Sequence, residues 1–161
     1  MVVKLYTQTS TMDCWFASAM MVLRYFKKTD KEYSQLKKEY GAQRVTDPET
    51  GDGEVELGTL MDSVGGNEYI IMNLLGTENI ETELIYRESS RDFNDIVKRE
   101  IAAGRPVILG LDRGAGGHFV VAYSMDGDEL LIMDPNPSAN HTHNTMGFDE
   151  VASAVIVTKV N

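Results

Sequence analysis

Gln8-Thr-Ser-Thr-Met-Asp-Cys14-Trp15-Phe-Ala-Ser-Ala-Met-Met-Val-Leu-Arg-Tyr-Phe26 begins as a polar segment and turns almost wholly apolar. Trp15, Ala19, Val22, Leu23 and Phe26 fall at helical spacing. Phe16, Met20 and Met21 widen that stripe to most of the circumference until Arg24. A helix apolar on nearly every side is a buried one. The spacing predicts a helix over 13–27, with Asp13 as its N-cap. Cys14 then sits in the first turn of a buried helix, where backbone N–H groups and the helix dipole favour a thiolate. A thiolate is the nucleophile of thiol enzymes. The competing reading is a small core hydrophobe, because free cysteine is among the most buried residue types. Cys14 is the only cysteine, so the chain has no intramolecular disulfide and no multi-cysteine zinc site.

After this helix the pattern gives a second one over 30–40, with Tyr33, Leu36 and Tyr40 on one face and Gly41 as its stop. Residues 42–54, with Pro48, Glu49, Gly51 and Gly53, read as an acidic loop that lacks the alternating ligands of a calcium site. Leu57, Leu60, Met61 and Val64 mark a third helix ended by Gly65-Gly66. Residues 68–88 are ambiguous, with Glu83 to Tyr86 the better strand. Phe93, Ile96, Val97 and Ile101 mark a fourth helix, with Ser90 as a cap and Gly104 as its end. The texture then becomes strand-like at 106–111, 118–123, 129–133 and 154–158, with a polar loop over 135–147. Helices first and strands later predict one α+β domain over 1–161.

A nucleophilic thiol needs a base. His141 and His143 lie in the polar loop, whereas His118 opens a strand. A His-Thr-His pair with no supporting acid or cysteine pattern is a thin case for a metal. The base in turn needs an orienter. The hairpin around Asp126-Gly127 allows two registers. A three-residue turn over 125–127 sets His118 directly opposite Asp134, on one face of the pair. A two-residue turn at Asp126-Gly127 sets His118 against Pro135 and sends Asp134 to the other face. Both remain open. An oxyanion needs donors, and Gln8, six residues before Cys14, offers a side-chain amide beside the Cys14 N–H.

Gln8 through Ser18 resembles the active-site segment of papain-like cysteine peptidases, in which a Gln precedes a Cys-Trp helix start by six positions. Gly117-His118-Phe-Val-Val121, a hairpin and Asp134-Pro135 are similar to the second half of that site. The nearest likeness is to the compact bacterial branch of double-glycine leader peptidases and small effector proteases. The resemblance implies a papain-like fold, with an N-terminal helical half packed on a C-terminal antiparallel sheet. It implies Cys14 as nucleophile, His118 as base and then acid, Asp134 as orienter and Gln8 as oxyanion donor, with Trp15 packed beside them. The chain departs from the plant and lysosomal enzymes: Thr11, Met12 and Asp13 stand where those have Cys-Gly-Ser, and the third member is Asp instead of Asn. Asp13 beside the nucleophile opposes thiolate formation; capping the helix is the role expected of it.

Net charge is −10 over 161 residues, with 25 acidic and 15 basic side chains. Such a field repels a phosphate backbone and excludes nucleic acid as a partner. No apolar run approaches the ~18 residues of a membrane span. The start, Met1 to Gln8, lacks a signal-peptide pattern. The expected location is cytoplasmic, or outside the cell by a route without a cleaved signal. Gly114 to Gly117 precedes a strand and lacks the Lys-Ser/Thr of a phosphate loop. No cofactor and no metal is implied. The expected activity is peptide-bond hydrolysis on a peptide or protein substrate, with an effector or toxin role and an immunity or inhibitor protein as further expectations. Transglutaminases, glutamine deamidases and amidases use the same Cys-His-Asp set, and a non-catalytic peptide-binding module is the reading from a different class.

Overall fold

The computed structural model describes residues 1–47, 50–113 and 117–161. Pro48 and Glu49 of the acidic loop, and Gly114 and Gly116 of the glycine segment, lie outside the described residues. Helix α1 (Cys14–Tyr25) is buried along Cys14–Leu23, as its all-round apolar pattern requires. It packs with α2 (Tyr33–Gly41) and α4 (Glu68–Thr77). Between these helices lie strands β1 (Arg44–Thr46) and β2 (Glu54–Glu56), then α3 (Leu57–Thr59), which widens into a π-turn over Leu60–Val64. Next come β3 (Ile80–Tyr86), α5 (Phe93–Ala102), β4 (Val107–Leu111), β5 (His118–Asp126), β6 (Glu129–Met133), β7 (Thr145–Met146) and β8 (Val151–Val160).

Strands β3 to β8 form one antiparallel sheet in the order β3-β8-β4-β5-β6-β7. Alternation along each strand divides the core in two. Phe119 and Val121 face α1, α2 and α4, together with Ile108, Val155 and Val157. Val120 and Ala122 face α5, together with Val107, Leu109, Ala154 and Ile156. The fold is α+β and papain-like, with α5 set apart on the far face of the sheet. None of the described helices is long and apolar enough to cross a membrane.

Four local expectations change. Residues 42–54 are not all loop: Arg44, Val45 and Thr46 pair with Glu56, Val55 and Glu54. That hairpin is too short and too exposed to leave an apolar run. The ambiguous stretch splits into α4 and β3, with Asn67 capping α4 through its Oδ1, which accepts from Ile70 N at 3.0 Å. Ser90 does not cap α5; Asp92 holds the N-cap position, and Ser90 contributes only its carbonyl, to Phe93 N.

The fourth concerns the β5–β6 register, where neither expected pairing occurs. Asp126 pairs with Glu129, so the turn is Gly127-Asp128, with Gly127 at φ 62°. Tyr123 is then bulged out: Ser124 pairs with Leu131, whereas Ala122 pairs with Ile132. The turn alone would have put His118 and Asp134 on opposite faces. The extra residue reverses that parity. Beyond the last β5–β6 pair, Val121 with Met133, His118 and Asp134 meet at the end of the sheet.

Candidate active site

Three elements meet at one end of the sheet. His118 is the first residue of β5, Asp134 follows the last residue of β6, and Cys14 opens α1, which packs against β5. His118 Nε2 lies 2.6 Å from Asp134 Oδ1. That nitrogen is committed to the carboxylate, and Cys14 stands near enough to the same ring to bear on its charge. The carboxylate also accepts from Asn136 N at 2.9 Å, which fixes its orientation. The His118 and Asp134 side chains are 14% and 6% exposed, so water screens their attraction poorly.

Burial opposes the charged form of both partners, and their neighbours overcome it. Desolvation pulls the His118 ring down. Hydrogen bonds and charge from Asp134 and Cys14 outweigh that and push it up to about 9. Desolvation likewise raises Asp134, yet the His118 hydrogen bond, the Asn136 N–H and the His118 charge hold it below the ordinary carboxylate value. His118 is therefore an imidazolium at neutral pH in this arrangement.

This has a consequence for stability. An unfolded histidine titrates near ~6.5. A folded value raised to about 9 contributes stability that is full below ~6.5 and lost as pH rises through about 9. Chemical denaturation of the native chain is expected to show a loss of about 3 kcal/mol between pH 6 and 10, at ~1.4 kcal/mol per unit, most of which Asp134→Ala lacks. Equal pH profiles for the two proteins would remove the ion pair.

Gln8 reaches the same region through its backbone, N–H to Pro135 O at 2.9 Å. Its Nε2 donates to Ser10 O at 2.8 Å, and its Oε1 is buried without a partner among the described residues. One of the two amide N–H bonds is thereby used, and the other meets no acceptor among the described residues. Trp15 packs under the site at 1% exposure, and the backbone of Gly66 lies on its indole: a Cβ there would stand 2.6 Å from Trp15 Cδ2.

Asp13 is the residue whose part the sequence reading misassigned. It occupies the N-cap position but makes no capping bond. Its carboxylate, fully buried, turns back to the Thr9-Ser10 segment and across to Tyr33 and Lys37 of α2. No pattern in the sequence joins Asp13 to a tyrosine 20 positions later. The other histidines lie apart: His141 meets Asn136 O, and His143 meets Asp126 on the surface. Among the described residues, no three His, Cys, Asp or Glu side chains are grouped to hold a metal.

Comparison with known proteins bears on both fold and family. The chain is similar in structure to the peptidase domain of Streptococcus ComA, a bi-functional ABC transporter involved in quorum sensing. That match has 21% identity and a TM-score of 0.63, covering 97% of this chain and 98% of that one. A double glycine motif protease from an AMS/PCAT transporter, solved with its leader peptide, aligns at 20% identity and a TM-score of 0.61, over 98% and 93% of the two chains. A Bacillus anthracis protein described as C39-like aligns at 14% identity and a TM-score of 0.66, over 99% and 96%. At such identities these likenesses speak for the fold. Comparison with curated proteins gave no match. The family model described as "Peptidase_C39 like family" matches residues 1–155, nearly the whole chain. The chain belongs to that family and is a papain-like cysteine peptidase.

Proposed function

We propose that the chain hydrolyses peptide bonds through Cys14, His118 and Asp134, with Gln8 and the Cys14 N–H as oxyanion donors. The observation that carries this reading is the 2.6 Å contact of His118 Nε2 with Asp134, with Cys14 near enough to the same ring to bear on its charge. The Cys14 thiolate, paired with the His118 imidazolium, attacks the scissile carbonyl. The tetrahedral oxyanion forms against the Cys14 N–H and the second Gln8 amide N–H. His118 gives its proton to the departing amine, leaving a thioester. It then takes a proton from water, which attacks the thioester and releases the acid. Asp134 holds the ring orientation and stabilises its positive charge throughout.

A structural relative, the double glycine motif protease, was solved with a leader peptide bound. We therefore assign a leader-type peptide, cut after Gly-Gly, as the substrate class, ahead of the protein target that an effector or toxin would have. The test is incubation with such a peptide, with and without a primary amine, read by mass spectrometry. Hydrolysis at one bond, lost in His118→Ala, is the expected result. Products carrying the amine in place of water would assign the chain to acyl transfer instead. Intact peptide throughout would contradict the peptidase reading.

A further inference from the structure

The segment between Gln8 and Cys14 has no regular backbone hydrogen bonding of its own, yet it must hold an amide still. A carboxylate does the holding. Asp13 Oδ1 accepts from Ser10 N at 3.0 Å and Ser10 Oγ at 3.2 Å; its Oδ2 accepts from Thr9 N at 3.2 Å and Thr9 Oγ1 at 3.4 Å. Tyr33 OH donates to Oδ2 at 2.7 Å, and Lys37 Nζ stands 3.2 Å from it. Lys37 also reaches Thr9 Oγ1 at 2.8 Å and Asp62 at 3.0 Å, and Ser10 Oγ lies 2.6 Å from Met61 O. The carboxylate thus ties the loop to α2 and, through its neighbours, to the π-turn.

Stability alone does not account for a buried charge beside a thiol that needs to ionise. Apolar packing often serves as well as a buried ion pair, and the negative charge works against a thiolate. The geometry supplies a reason. Ser10 is fixed at its N–H by Asp13, and its carbonyl accepts one Gln8 Nε2 hydrogen. We propose that Asp13 is a positioning residue for the oxyanion hole: through Ser10 it locks the Gln8 amide so that its second N–H faces the reacting carbonyl, and Tyr33 and Lys37 of α2 hold Asp13 in turn. The inference rests on the reading of Gln8 as the oxyanion donor. Burial and the Asp13 bond keep the Tyr33 hydroxyl well above its ordinary value, so it remains a donor. The bonds from Tyr33, Ser10, Thr9 and Lys37 outweigh desolvation and hold Asp13 ionised.

The experiment compares wild type, Gln8→Ala, Asp13→Asn and the double variant by cleavage kinetics on the Gly-Gly leader-type peptide and by iodoacetamide alkylation of Cys14 at pH 6. Alkylation needs the thiolate but no oxyanion hole. Gln8→Ala is expected to lower kcat ~100-fold. Asp13→Asn is expected to lower it at least ~10-fold with KM within ~3-fold, and the double variant to be no slower than Gln8→Ala, because one device is removed twice. Alkylation of Asp13→Asn is expected to be as fast as wild type or faster, since a like charge has gone. A double variant whose losses multiply, alkylation that falls in step with kcat, or an unchanged kcat overturns the inference. Where Asp13→Asn fails to fold, Tyr33→Phe carries the test with the same signature at ~3–10-fold, and an unaltered Tyr33→Phe overturns the α2 link. A wild-type chain that cleaves no peptide removes the peptidase reading and this inference together. A wild-type chain that cleaves beside an unaffected Asp13→Asn removes the inference alone.

Discussion

Cys14→Ser is expected to abolish cleavage of the leader-type peptide, with a loss of ~10⁴-fold or more in kcat. The change exchanges one atom, sulfur for oxygen, in the first turn of α1. Size and polarity at this 7%-exposed position barely alter, so the unfolding midpoint stays within about 2 °C of the native value. What alters is the proton. A thiol is acid enough to pass its hydrogen to an imidazole raised to about 9, and an alcohol is not. The chemistry fails for want of an ion pair, in a protein that folds as before. Circular dichroism and cleavage rates measured on one preparation check both halves. Residual activity within tenfold of wild type would mean that the nucleophile lies elsewhere.

Gly66→Ala is the second large effect, and it acts on stability and activity together. A Cβ at Gly66 would lie 2.6, 2.7 and 2.9 Å from three atoms of the Trp15 indole. The ring is rigid, 1% exposed and set edge-on to Phe16 at 5.7 Å between centroids, so it has nowhere to retreat. Forcing a methyl into a filled core costs about 1–3 kcal/mol. Because Trp15 follows Cys14, any shift of the indole also moves the nucleophile, and kcat is expected to fall ~10–100-fold. Gly76→Ala is the matched control. It lies inside α4 with nothing within 4 Å of the new Cβ, and there the substitution is expected to add about 0.5–1 kcal/mol. Urea denaturation of the two variants decides the point. Equal stabilities would mean that Gly66 does not rest on Trp15.

The site was legible in the sequence to the extent that side-chain chemistry was local. Cys14 stood out because an all-apolar helix begins at it, and the strands read at 106–111, 118–123 and 129–133 because their apolar runs exceed what a loop carries; in the structure they span Val107–Leu111, His118–Asp126 and Glu129–Met133. The pairing of His118 with Asp134 was within reach only as a question of parity. The Asp126-Gly127 signal placed the turn one residue early, and the bulge at Tyr123, which carries no residue signature, restored the shared face. Asp13 was misread because short-range logic offers a residue before a helix one role, the cap. Its true partners, Tyr33 and Lys37, arrive from α2, and that neighbourhood exists only once Phe16 and Tyr33 are packed at 5.7 Å in the core. The β1–β2 hairpin escaped for the opposite reason: its strands bury too little to pattern the sequence.

The central claim is that Cys14 and His118 act as one ionised pair, and alkylation with iodoacetamide tests it most directly. The rate is measured from pH 4 to 9 on the native protein and on His118→Ala. Rapid modification of the native protein at pH 5–6, where an ordinary thiol near ~8.5 is almost wholly protonated, and its loss in His118→Ala are the predicted results. A Cys14 that reacts only on unfolding, or at the same rate without His118, would make it a core residue and contradict the account.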